Sequence, residues 1–207
     1  MSNGDVFSDI AARYDRINRV LSFGQDQNWR RRVAARLPEG RRLDLGGGTG
    51  AANALLGPEV VALDPAPQML ALNGAPRRVV GIGEALPFAD ASFDAVFSAY
   101  VFRNLDSVKE TLVEIARVLR PGGKAGIVDL GRPEVGWQRS LHRAGSAAVL
   151  PAVGAATGAR EEYTYLHHSL DSLPQPQVLY ADGPLELEDV WRMGPFGFVY
   201  GVILGTD

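Results

Sequence analysis

The segment LDLGGGTG, residues 43–50, constrains this chain more than any other stretch. A short apolar run carrying one acid, Asp44, passes into three consecutive glycines, and a fourth follows at Gly50. Glycine adopts backbone conformations closed to other residues and lets a ligand approach without meeting a Cβ. A helix that starts beyond such a turn presents free N–H groups there. The run therefore reads as strand, tight turn and helix N-terminus, the opening unit of a wound α/β sheet. Asp44 at the strand end would set a carboxylate against a ligand's ammonium group. The spacing Asp-x-Gly-x-Gly-x-Gly lacks the third glycine of a dinucleotide fingerprint, because Ala51 stands at that position. Taken alone, the glycines also fit a βα turn that binds nothing.

The rest of the chain supports an α/β reading. Short apolar runs recur at residues 42–45, 60–63, 78–81, 95–98 and 125–128, too short for helices. Helical patterns between them imply parallel strands with crossovers. The clearest helix spans 106–119, where Val108, Leu112, Ile115 and Leu119 fall at helical spacing and Ser107 with Glu110 forms a capping box. Pro121-Gly122-Gly123 stops it. Two N-terminal helices, 5–22 and 26–37, hinge at Ser22-Phe23-Gly24. Residues 134–150 and 160–171 read as helices, and 178–180 and 198–204 as strands.

A second acid sharpens the ligand class. VVALD ends at Asp64, one strand after the glycines, where a carboxylate can accept two hydrogen bonds from a ribose diol. It could equally cap the helix from Ala66. Met69, one turn on, could lie against an adenine face or pack in the core.

Composition excludes several other functions. The 207 residues contain no cysteine, which removes disulfides and thiolate metal sites. No cluster has metal-ligand spacing, so no metal is expected. The N-terminus lacks a basic run followed by an apolar one, and residues 144–159 are too interrupted to span a bilayer. A cytoplasmic location is the expectation. Residues 1–42 hold nine arginines against five acids, while residues 160–207 hold two basic and eight acidic groups. The basic arm suits a solvated helical face or contact with an anionic lipid surface. Nothing forms the broad basic stripe of a nucleic-acid binder.

LDLGGGTG, VVALDPAPQML, GEALPFADASFDAVFSAY and RVLRPGGKAGIVD resemble the successive motifs of class I S-adenosylmethionine-dependent methyltransferases. FSDIAARYDRINRVLSFGQDQNWRR, VFRNLDS and EEYTYLHHSLDSLP are similar, more specifically, to the ubiquinone/menaquinone biosynthesis C-methyltransferases. The resemblance covers most of the chain. It implies a doubly wound, Rossmann-like α/β fold. The sheet would have seven mostly parallel strands, with an antiparallel C-terminal edge and an N-terminal helical cover. A single domain is expected, with residues 1–40 as cover, 41–130 as cofactor core and 131–207 as the substrate side. The implied donor site comprises Asp44, Gly46, Gly47, Gly48, Asp64, Pro65, Met69, Ile82, Gly83 and Ser98. Three positions depart from the family pattern. Asp26 replaces a histidine, Ile17 a methionine, and Ile82 the Asp or Asn that reaches the adenine amine. The backbone near Gly83 would then carry the adenine contact. The segment from Asp64 to Ile82 is short, so its helix must be brief.

The implied reaction is methyl transfer to a ring carbon of a prenylated quinol, an in-line displacement helped by alignment and exclusion of water. The resemblance implies that Arg103 positions a water or the ring oxygen, with Asn104 beside it and Tyr14 pointing at the donor. A guanidinium stabilises a phenolate but is a poor proton acceptor. His142, His167 and His168 are base candidates by type, although His167 and His168 read better as exposed helix residues. Asp129 could face the substrate or cap the next segment. The small-residue stretch 144–158 could line a groove for the tail or simply pack. A homodimer and peripheral membrane contact are further expectations. O- or N-methylation of another small molecule, and a silent adenosyl-binding protein, are the competing functions.

Overall fold

The computed structural model describes Ser22 and residues 24–157, 170–171, 174–181 and 183–206. The expected helices at 5–22 and 160–171 lie almost wholly outside these residues, as do Tyr14, His167 and His168.

The elements alternate as the apolar runs require. They are α1 (Asp26–Ala34), β1 (Arg42–Leu45), α2 (Asn53–Leu56), β2 (Val61–Asp64), α3 (Pro67–Leu72), β3 (Arg77–Val80), β4 (Phe93–Ala99), α4 (Val108–Val118), β5 (Leu119–Leu130), α5 (Gly136–Thr157), α6 (Pro176–Leu179), β6 (Glu186–Met193) and β7 (Val199–Gly205). The strands form one sheet in the order β3-β2-β1-β4-β5-β7-β6. Pairing is parallel from β3 through β5 and antiparallel at β5–β7 and β7–β6. This is the doubly wound seven-stranded sheet expected from the sequence.

Both faces are covered. Leu43 and Leu45 point to a core with Leu112, Ile115 and Val118 of α4. Ala62 and Phe97 point to the opposite core with Trp29 and Val33 of α1. Strict alternation would put Phe93 and Phe97 on one face. A register shift between Phe93 and Ala95 instead sends Phe93 to the α4 side.

Three local expectations change. The helix over 106–119 ends at Val118, because Leu119 already has strand geometry and pairs with Phe93. Pro121-Gly122-Gly123 therefore lies within β5 rather than after a helix. Residues 178–180 are not a strand. Pro176 starts a helical turn there, and Tyr180 is sealed in the core. Three apolar residues cannot distinguish the two forms. The edge strand is instead Glu186–Met193, whose acids hide its pattern. They face solvent and pair with Lys124 and Arg36.

Candidate active site

The strand order reverses between β1 and β4, and the C-terminal ends of β1, β2, β3 and β4 open onto a cavity of about 430 Å³. A crevice at such a switch point is where open α/β sheets bind ligands. Gly46, Gly47 and Gly48 form its floor. Gly46 has φ +72°, and a Cβ there would run into Val101. Gly48 has φ +50°, with its N–H donating to Asp64 Oδ2 at 2.9 Å. Asn73 holds the loop from below. Its amide donates to the carbonyls of Gly47 (3.3 Å) and Gly48 (3.0 Å) and accepts from Asn53 at 2.8 Å. No sequence signal marked Asn73, because its value depends on a loop 25 residues away.

Asp64, Pro65, Met69, Ile82 and Gly83 all line the cavity. Asp64 Oδ1 also accepts from Ala66 N–H at 2.9 Å, so the carboxylate ties loop to helix and keeps lone pairs for a diol. Ile82 is half exposed, and α3 is only six residues long, as the short spacing required. Asp44 is not among the residues lining the cavity; it lies beneath the loop, 2% exposed, and no described residue donates a hydrogen bond to it. Burial pushes its carboxyl up to about 7, against the lowering influence of Arg30, with Asp64 adding to the rise. A dry carboxylate without donors is suited to a cationic ligand. Ser98 departs from expectation. It is buried off the cavity, and its hydroxyl donates to Leu45 O at 3.0 Å, so it braces β1 against β4.

Arg30 and Tyr100 are among the cavity residues that escaped the sequence reading. Arg30 reaches in from α1, with its guanidinium 4.9 Å from the Tyr100 ring centroid. Tyr100 directly follows β4 with φ +65°, a strained value for a bulky residue. Its hydroxyl is buried without a hydrogen-bond partner among the described residues. Burial raises its pKa far above the ordinary tyrosine value.

Asn104 lines the cavity from the 3-10 turn Phe102–Asn104. Arg103 is not among the residues lining this cavity; it is nearly buried beside Asn104 and paired with Asp129 at 3.1 Å. Asp129 is not a loop residue facing substrate. It sits inside β5, fully buried, and also accepts from Phe102 N–H (2.9 Å) and Leu130 N–H (2.7 Å). Burial raises its pKa, and Arg103 opposes that rise. His142 contacts Arg132 through Nδ1 at 3.2 Å and stacks on Phe198, away from the cavity. No group of three or more potential metal ligands occurs among the described residues.

A glycine floor, an acid one strand on, and an unpaired carboxylate beneath fit adenosine joined to an amino acid. Together with this sheet order they define a class I S-adenosylmethionine-dependent methyltransferase. A methyltransferase of Thermotoga maritima shares the fold over 98% of this chain and 99% of its own, with TM-score 0.68 and 18% identity. Residues 2–181 match the model of the ubiE/COQ5 methyltransferase family, and the chain belongs to that family. It is 39% identical to a demethylmenaquinone methyltransferase of Thermus thermophilus, over 85% of this chain and 88% of that protein. It is 37% identical to a ubiquinone/menaquinone biosynthesis C-methyltransferase of Rubrivivax gelatinosus, over 85% and 74% respectively.

Proposed function

We propose that this enzyme methylates a ring carbon of a prenylated demethylquinol in menaquinone or ubiquinone biosynthesis. The observation that carries the reading is the 39% identity, over 85% of the chain, to a demethylmenaquinone methyltransferase. When bound, the donor supplies an electrophilic methyl group on a sulfonium. Asp44 pairs with its ammonium group, Asp64 accepts from the ribose hydroxyls, and Met69 with the backbone at Ile82 and Gly83 flanks the adenine.

A ring carbon becomes nucleophilic as its neighbouring oxygen gains negative charge. In this reading Arg103 stabilises that charge electrostatically. Asp129 fixes the Arg103 side chain, and Asn104, one residue on, faces the cavity. The role that the resemblance implies for Tyr14 at the donor lies outside the described residues.

The enzyme would act in the cytoplasm against a membrane surface, where a prenylated substrate resides. Exposed Trp137 and Leu141 on α5, beside exposed Phe196, support that contact. No helix among the described residues is long and apolar enough to cross a membrane.

The test is the quinone profile of cells lacking this protein. A demethylated quinone should accumulate and disappear on complementation. An unchanged profile, with no methyl transfer to a short-tailed demethylmenaquinol by the purified protein, would overturn the substrate class.

A further inference from the structure

We propose that Arg30 binds the α-carboxylate of the methyl donor and, with Asp44, clamps the donor's amino-acid end at two points. The inference rests on the donor placement given above.

Sheet order sets the direction of the donor. β2 and β3 lie on one side of β1, and β4 lies on the other. Asp64 and Ile82–Gly83 therefore sit on one flank of the glycine floor, and Tyr100 on the opposite flank. With ribose and adenine over β2 and β3, the amino-acid end must point toward β4, where Arg30 and Tyr100 line the cavity.

Arg30 is built for an anion. Its neighbours Trp29 and Val33 anchor α1 in the core, and Trp29 meets Phe198 edge-on at 5.9 Å. Arg31 bonds Asn28 on the exposed side of the same helix. Arg30 alone of the Arg30–Arg32 run lines the cavity. Its Nε is sealed from solvent without a hydrogen-bond partner, and no carboxylate lies within ion-pair distance among the described residues. An anion entering the cavity would therefore meet a guanidinium that has no ion pair to give up. Its planar fork matches a carboxylate better than any single donor.

The Tyr100 ring, 4.9 Å from the guanidinium carbon, limits where the fork can point. Tyr100 is itself fixed, because its N–H donates to Val128 O at 2.8 Å. Asp44 is buried beneath the loop between these flanks. Opposite charges on the protein thus face opposite charges on an α-amino acid, and a neutral or purely cationic tail would leave Arg30 unpaired.

Calorimetry with S-adenosylhomocysteine and its decarboxylated analogue tests the clamp. Wild-type protein should prefer the carboxylated ligand by roughly 10- to 100-fold, the range for a charged hydrogen-bonded pair. Arg30→Ala should lose that preference by weakening S-adenosylhomocysteine alone, with the analogue bound as in wild type. Arg30→Lys should recover part of it. Equal weakening of both ligands would mean that Arg30 only holds α1 in place, and intact discrimination in Arg30→Ala would also overturn the clamp. Asp64→Ala separates the two layers of the argument. It should weaken both ligands alike, and wild-type binding by that variant would refute the donor placement instead.

Discussion

Replacing Asp44 with asparagine should make the empty enzyme more stable and the donor site worse. The carboxyl is buried beneath the glycine loop, and its pKa is pushed from 3.8 up to about 7. Between those values the folded protein keeps a proton that the unfolded chain has released. Stability therefore falls as pH rises from 4 to 7, and the penalty is complete above 7. At 1.36 kcal/mol per unit, a rise of about three units amounts to at most about 4 kcal/mol. Asparagine has the shape of the protonated carboxyl and carries no such penalty. At pH 4 the two proteins should melt together, and at pH 8 the variant should melt higher, by up to on the order of 10 °C for a domain of this size. Donor binding should change the other way. The ammonium group pairs with ionised Asp44, so wild-type affinity for S-adenosylhomocysteine should fall about tenfold per unit below pH 7 and level off above it. The asparagine variant should bind roughly 10- to 100-fold more weakly at pH 8, with little pH dependence from this site. Thermal melts across pH 4–8.5 and calorimetry on both proteins check both halves. Parallel melting curves for the two proteins, or unweakened binding by the variant, would refute the reasoning.

Other substitutions probe the remaining parts of the site. Asp64→Ala should weaken donor binding strongly in calorimetry, because two charge-assisted bonds to the diol are lost together with the tie to Gly48 N–H. Selective binding of a nicotinamide cofactor by the wild-type protein would contradict the assignment. Ile82→Asp should hold or improve donor affinity, since position 82 is half exposed and a carboxylate there stays solvated while it reaches the adenine amine. A complex with adenine far from residues 82–84 would refute that placement. Arg103→Ala should lower single-turnover methyl transfer on the order of 100-fold at saturating donor, with donor affinity unchanged. It should also cost roughly 3 kcal/mol in denaturant titrations, because Asp129 is left buried without its cation. Arg103→Lys should restore more of the stability than of the turnover, and wild-type turnover in either variant would remove Arg103 from the chemistry.

By itself the sequence determined the frame. Five parallel strands, the glycine floor, Asp64 and the brief α3 were all legible, because each depends on local periodicity, on glycine backbone freedom or on a short spacing. The family motifs were local strings of the same kind. Tertiary structure alone decided what those strings meet. Arg30 reads as one arginine among several on an amphipathic helix, and only the packing of Trp29 and Val33 against the sheet turns it into the cavity. Asp129 reads as a residue after a strand, and only the fold of the turn after β4 seals it against Arg103. Ser98 stands beside the site in sequence but faces the β1 backbone. The edge strand Glu186–Met193 stayed hidden because its acids find their cations in Arg36 and Lys124, more than 60 residues away. Charge and burial at these positions are pairwise properties. They are set by partners distant in the chain, so no local pattern can carry them.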